Sequence, residues 1–437
     1  MKNNWAPRWA QRAGILALIA VIFGCGGAPG ARGHHILDAD GKVWIGRGAN
    51  IHDTRSCGAC TFAPPSVAEV KRRVDELCDV WHATFLRLTL ESYATAGGRT
   101  QWKSLLNDPA YLQDIVSIVR HIETKPNVYV LVSLWVDPSF DAHGWPTSAT
   151  NAVWTKLAGA LVDDSRVLFG IVNEPMENAN GALDAQVWAA MSSAVSAIRA
   201  VEAAAGPNRH IITVQGTRSW ARRLDYYLTH PITAGGGVNI AYETHVYDPA
   251  SSFQSLFVGP SAKLPVIIGE FGPAQGYMTE SDCAALMTSA ESLQIPYLAW
   301  TFHPRCPPNL LVDNSGGGCG VGMALQPTSW GTLLKSRLAQ AATPPTQPPP
   351  TTYDPKLTMG PNCNDWWVEV YADAASVTLA LPGGSKVDLP RTSWGSFARS
   401  VHVAKGTMIQ LIARASDGRT ATSKPFAYRQ GAPIFGP

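Results

Sequence analysis

Eight short, nearly unbroken apolar runs recur along the first part of the chain, at residues 43–49, 84–90, 128–135, 167–173, 210–215, 240–246, 265–270 and 296–302. Strands buried on both faces read this way, so each run predicts one strand of a parallel sheet covered by helices. Helical spacing fills the intervals. The clearest case places Leu183, Val187, Met191, Val195, Ile198 and Val201 three to four residues apart. It predicts a helix opening after Asn180 and Gly181 and closing before Gly206 and Pro207. Eight strand-helix units predict an α/β fold, a (β/α)8 TIM barrel, over residues 26–341. An open doubly wound sheet fits less well, because no GxGxxG follows the first run.

The pattern changes at both ends. Thr343 to Thr352 reads TPPTQPPPTT; such a stretch can neither continue a helix nor pair as a strand, so residues 342–354 predict an extended linker. Beyond it, WWVEVYA from Trp366, SVTLALP from Ser376, ARSVHV from Ala398 and TMIQLIARA from Thr407 alternate apolar and polar residues. With turns expected at Pro382 to Gly384 and at Asp417 to Gly418, residues 355–437 predict a small all-β sandwich. At the start, Lys2, Arg8 and Arg12 precede the apolar stretch 13–24. That is the layout of an export signal over residues 1–25. Cys25, after Ile22, Phe23 and Gly24, resembles a bacterial lipoprotein processing site, so a lipid anchor to the membrane and plain secretion both stand as readings.

Composition adds little until the tryptophans and cysteines are considered. The 437 residues are 46% hydrophobic and 16% charged with a formal net charge of +2, and no basic stripe points to nucleic acid. A monomer is expected. Fifteen tryptophans suit a protein whose indole faces stack on sugar rings, although many will fill the core. Seven cysteines follow Cys25. In an exported chain they suggest disulfides, Cys57 with Cys60 and Cys306 with Cys319 being closest in sequence, which leaves at least one of Cys78, Cys283 and Cys363 unpaired or unassigned. A zinc site is the poorer reading, since no histidine pair stands at ligand spacing.

Candidate chemistry gathers where a barrel puts it, at the carboxyl ends of the strands. GIVNEP ends the fourth run with Asn173 and Glu174, and PVIIGE ends the seventh with Glu270. Two carboxylates that titrate differently are what cleavage of a glycosidic bond requires, one to protonate the leaving oxygen and one to attack or stabilise the oxocarbenium-like carbon. Arg87 lies in the second run, His245 and Tyr247 at the end of the sixth, and Trp300 late in the eighth.

In this order, with RGANIH from Arg47 to His52 as a first strand, residues His35 to Ala341 resemble glycoside hydrolase family five, the cellulase-like retaining glycosidases. The resemblance implies Glu174 as general acid and base, Glu270 as nucleophile, Asn173 on the sugar 2-hydroxyl, Arg87 and Tyr247 holding Glu270, His245 lining the site, and Trp300 as a stacking floor. It implies no metal or organic cofactor, with a loop calcium left open. One position departs from the family: where the third strand usually ends in histidine, this chain has Trp135. His52 or His143 could supply that contact. In the tail, NDWWVEV, SWG at Ser393 to Gly395 and ASDGRT from Ala415 look similar to the cellulose-binding domain of expansins over Asn362 to Tyr428. Trp366, Trp367, Tyr371 and Trp394 become candidates for stacking on a glucan chain.

The function expected is a retaining endo-β-glycanase acting on a β-1,4-linked polysaccharide, cellulose or β-glucan foremost. Mannan, xylan and glycolipid or oligosaccharide substrates remain open, as does transglycosylation. A reading of another class is a non-catalytic carbohydrate-binding protein on a degenerate barrel.

Overall fold

Side chains alternate across each of the eight barrel strands, and apolar residues on both faces draw the strands into a closed cylinder rather than an open sheet. The computed structural model describes residues 30–32, 34–38, 40–54, 66–90, 104–134, 144–175, 178–206, 209–314, 321–342, 355–415 and 419–428. The expected export segment with Cys25, Cys57, Cys60, Trp135, His143, Cys319, residues 343–354 and the turn at Asp417 and Gly418 lie outside these. The chain divides into two compact units, the break falling between residues 342 and 343.

In the first unit the barrel strands are β1 (Arg47–His52), β2 (Phe85–Leu90), β3 (Tyr129–Leu134), β4 (Val167–Gly170), β5 (Ile211–Gln215), β6 (Ile240–Val246), β7 (Val266–Phe271) and β8 (Tyr297–Ala299). Each is parallel to the next, and β8 closes on β1. Strand two shows why both faces are apolar. Leu86, Leu88 and Leu90 pack outward with the helices, whereas Phe85 joins Tyr129, Leu131, Leu168, Ile211, Ala241, Ile267 and Leu298 inside the cylinder. Trp44 closes the amino-terminal end against Phe85 and Tyr129, with ring centroids 4.9 and 4.8 Å away.

The long helix runs from Asp184 to Ala205 and stops at Gly206, as its spacing predicts. The expectation of a helix after every strand needs correction. Between β5 and β6 the described chain forms three short 3-10 turns, at Ser219–Ala221, Asp225–Leu228 and Ala234–Gly237. Gly235, Gly236 and Gly237 all take positive φ there, and a right-handed helix cannot pass through such a stretch. Three runs also overstate their strands. The first enters the sheet only at Arg47, the fourth leaves it at Gly170, and the eighth leaves it at Ala299, just before a cis peptide between Trp300 and Thr301. Cys306 is disulfide-bonded, and Cys78, Cys283 and Cys363 are free thiols.

The second unit is a sandwich of antiparallel strands. One sheet pairs β9 (Thr358–Met359), β10 (Val368–Tyr371) and β13 (Phe397–Arg399); the other is ordered β12 (Lys386–Leu389), β11 (Ser376–Ala380), β14 (Met408–Arg414) and β15 (Thr420–Thr422), with β16 (Phe426–Ala427) also on β14. Val368, Val370, Leu379, Phe397, Leu411 and Tyr428 form its core. The tryptophan candidates are not part of it. Trp366 and Trp394 are 67% and 60% exposed, and Trp367 is half-buried.

Candidate active site

Two residues further along most strands from the apolar floor, the inward positions turn polar: Asn50 on β1, Arg87 on β2, Ser133 on β3, Thr213 on β5 and Glu243 on β6, all fully buried. The strand period of two carries each of these side chains into the cylinder above the apolar floor. Buried polar groups must satisfy one another, and here they do so around one guanidinium.

Arg87 donates from one terminal nitrogen to Glu270 Oε1 at 2.7 Å and Asn50 Oδ1 at 2.9 Å, and from the other to Asn173 Oδ1 at 2.7 Å and Ser133 Oγ at 2.9 Å. Its Nε lies 3.1 Å from Glu243 Oε1. A fully desolvated arginine between two carboxylates has its charge paired and is held in a single geometry.

Glu270 reaches the cavity through a register shift. By simple alternation Ile267 and Gly269 point inward and Glu270 outward. Instead, Thr244 of β6 pairs with Ile268 while the next residue, His245, pairs with Glu270, leaving Gly269 as an extra residue. Such a bulge re-aims the following side chain. A side chain on Gly269 has no room, since a Cβ there would stand 2.1 Å from Glu243 Oε1. Glu270 Oε2 accepts the Tyr247 hydroxyl at 3.0 Å. Burial first, and the Glu174 carboxylate, raise the Glu270 pKa, against the lowering effect of His245, Arg87 and Tyr247; the balance lies above an ordinary glutamate. Tyr247, buried beside two carboxylates, is raised well above its usual value and stays a hydroxyl donor.

Glu174 sits four residues beyond β4 at a positive φ of 51°. Its backbone N–H donates to Gln215 Oε1, and its Oε1 accepts from His245 Nδ1 at 2.9 Å. The other ring nitrogen of His245 lies 3.1 Å from Glu243 Oε1. Burial alone would lower the His245 pKa, but Glu270, Glu174 and Glu243 outweigh it and raise it to about 9. Burial would raise Glu243, yet Arg87 and His245 hold it at about 2. The ring is therefore an imidazolium at neutral pH that donates from both nitrogens. A histidine whose pKa is raised on folding stabilises the fold fully below its unfolded value near 6.5 and loses that contribution as pH climbs through about 9. The melting temperature is thus expected to fall between pH 6.5 and 9 more steeply in the parent than in His245→Gln; equal slopes would contradict the charged state.

Oxygens of Glu174 and Glu270 and a ring nitrogen of His245 lie within 4.8 Å of one another. This is the cluster with metal-ligand potential among the described residues, but a cation would have to displace the proton that His245 gives to Glu174. Trp300 is almost wholly buried, with its ring edge-on to His52 at 5.3 Å, and its carbonyl accepts from Trp330 Nε1 at 2.9 Å. His52 is buried with Thr89 Oγ1 3.0 Å from its Nδ1.

Sequence reasoning passed over Glu243, Gln215, Asn50, Ser133 and Trp220. Glu243 carries the same signal that marks Arg87, a charge inside an apolar run. Trp220 is half exposed at the edge of a pocket of about 430 Å³ that Arg218, Arg222, Asp248, Ser252 and Ser255 also line. Its backbone N–H donates to the carbonyl of Pro175, the residue after Glu174.

Comparison with known proteins places the barrel. A family model described as cellulase, glycosyl hydrolase family 5, matches residues 38–305. A manganese-dependent endoglucanase, Eg5A of Phanerodontia chrysosporium, is 28% identical over 138 residues, 29% of this chain and 33% of that protein; the chain thus matches about a third of that relative's length. The β-glucanase SdGluc5_26A of Saccharophagus degradans, solved with cellotetraose, superposes with a TM-score of 0.55 at 18% identity, covering 72% of this chain and 93% of that one. A β-mannanase of Streptomyces thermolilacinus, solved with mannohexaose, gives 0.51 at 18% identity over 70% and 92%. At such identities the superpositions speak for the barrel fold alone. The family model spans more than half of the sequence and the strands that carry Arg87, Glu174, His245 and Glu270, and on that ground the chain belongs to glycosyl hydrolase family 5 and is a glycoside hydrolase.

Proposed function

We propose that this protein is a retaining endo-β-glycanase that cleaves β-1,4-linked glucan by double displacement. The observation that carries the reading is the pair Glu174 and Glu270, with one carboxylate oxygen from each standing within 4.8 Å of the other. Retaining enzymes hold their two carboxyl groups about 5 Å apart, whereas inverting ones leave room for a water. The two are also held unequally. Glu270 receives the guanidinium and phenol donors of Arg87 and Tyr247, which favour its ionised form. Glu174 is the more exposed of the two, its side chain 21% accessible against 5% for Glu270.

The reaction follows from that asymmetry. Glu270 attacks the anomeric carbon as Glu174 protonates the departing oxygen, and a glycosyl ester forms on Glu270. Glu174, now a carboxylate, takes a proton from water, which attacks the same carbon and releases the sugar with retained configuration. Asn173, fixed by Arg87, is assigned to the sugar 2-hydroxyl. Trp300 and His52 are assigned to the glycone side, and Trp220, next to the acid, to the leaving-group side.

Export of the protein is part of the reading, and the disulfide at Cys306 supports an oxidising compartment. Lipidation of Cys25 would keep the enzyme at a membrane surface. The tail is proposed as a glucan-binding module. Trp366 and Trp394 present exposed rings, and buried Glu369 fixes the latter by accepting its Nε1–H at 2.9 Å. Truncation before Thr343 should lower activity on insoluble cellulose several-fold more than on soluble β-glucan; equal losses would remove the binding role.

The substrate is tested by reducing-end release from β-glucan, carboxymethylcellulose, mannan and xylan under one set of conditions. Fastest turnover is expected on the two glucans. Preference for mannan would reassign the substrate within the family, and no turnover on any of the four would sink the glycanase reading.

A further inference from the structure

We propose that Glu243 is a positioning residue for the acid: from beneath the site it holds both groups that fix Glu174, and it keeps the one facing the Glu174 carboxyl positively charged. The inference rests on the glycanase reading for its kinetic consequence, and on geometry for the rest.

A single oxygen carries the load. Glu243 Oε1 accepts from Gln215 Nε2 at 3.1 Å and from His245 Nε2 at 3.1 Å, with Arg87 Nε also 3.1 Å away. Its partner oxygen accepts from Thr213 Oγ1 at 2.6 Å. Gln215 in turn accepts the backbone N–H of Glu174, and His245 donates to the Glu174 side chain. Backbone and side chain of the acid are thus both anchored to groups that rest on Glu243. Arg87 does not depend on it in the same way, because Asn50, Ser133, Asn173 and Glu270 hold the guanidinium as well. The non-redundant action of Glu243 is therefore on His245 and Gln215, and through them on the acid.

Charge makes the arrangement specific to a carboxylate. Around His245 stand Glu174 from the loop after β4, Glu243 on its own strand, Glu270 with Oε2 3.5 Å from Nδ1, Arg87 behind Glu243, and the Tyr247 hydroxyl on Glu270. With Glu243 ionised the ring keeps both protons, so Nδ1–H always points at Glu174. Without that charge the ring loses a proton at lower pH. If Nε2–H stays on residue 243, Nδ1 presents a lone pair that competes for the acid's own proton.

Glu243→Gln separates charge from shape. The amide oxygen can still accept from Gln215 and His245, and its NH2 can donate to the Thr213 hydroxyl. Titration of 15N-histidine-labelled full-length protein, with the His245 signals identified by their loss in His245→Gln, should show an imidazolium at pH 7 in the parent. In Glu243→Gln the midpoint should fall by about one pH unit or more. A neutral ring at pH 7 in the parent, or an unmoved midpoint in the variant, overturns the proposal. In kinetics the variant should lose about tenfold or more in kcat/KM on β-glucan. It should change less than about threefold on a 2,4-dinitrophenyl β-cellobioside, whose leaving group departs without protonation. Equal losses on both would place Glu243 in the general support of the barrel instead. If the parent cleaves neither compound, the glycanase reading has failed and the titration alone decides the role of Glu243.

Discussion

Replacing Glu270 by glutamine is expected to abolish hydrolysis while leaving sugar binding nearly intact. The amide is nearly isosteric and still offers Arg87 an oxygen acceptor, so the cavity keeps its shape. What it loses is the nucleophile, and loss of a nucleophile typically costs on the order of 10⁴-fold or more in kcat. The variant should also melt lower than the parent, because the fully buried Arg87 keeps only Glu243 as a charged partner. Calorimetric titration with cello-oligosaccharides alongside a reducing-end assay separates the two effects. Turnover within tenfold of the parent would remove Glu270 from the chemistry.

The second large effect concerns the acid. Glu174→Ala should lower the rate on polysaccharide by roughly 10²- to 10⁴-fold, the usual contribution of a positioned proton donor. With a dinitrophenyl glycoside, formation of the glycosyl ester needs no proton, so that step should survive and the ester should accumulate. Added azide, which attacks without a general base, should then restore turnover and give the β-glycosyl azide. This pattern distinguishes Glu174 from Glu270, because azide entering in place of Glu270 attacks the opposite face and gives the α product. An α azide from Glu174→Ala would exchange the two roles.

Much of this site is legible in the chain because a barrel converts strand order into spatial order. Asn173, Glu174, His245, Tyr247 and Glu270 each stand at or just beyond the carboxyl end of an apolar run, Arg87 lies within one, and the eight-fold closure brings them together. The orientation of Glu270 was not legible. Alternation directs it outward, and only the extra residue at Gly269 turns it in, a local device that pattern alone does not reveal. Glu243 was missed for a different reason. A lone charge in an apolar strand announces a need for a partner without naming it: His245 stands two residues along the same strand, but Arg87 becomes a partner only once β2 and β6 face each other across the cylinder. The connection from β5 to β6 was misread because the strand period implied a helix that its three consecutive glycines forbid.

The central claim is that Glu174 and Glu270 work as a retaining pair, and proton NMR of the freshly released sugar tests it most directly. Hydrolysis of a soluble β-glucan followed from the first seconds should show the β anomer of the new reducing end first, with the α anomer growing in only as mutarotation proceeds. Initial release of the α anomer would mean direct attack by water, and would contradict a covalent ester on Glu270.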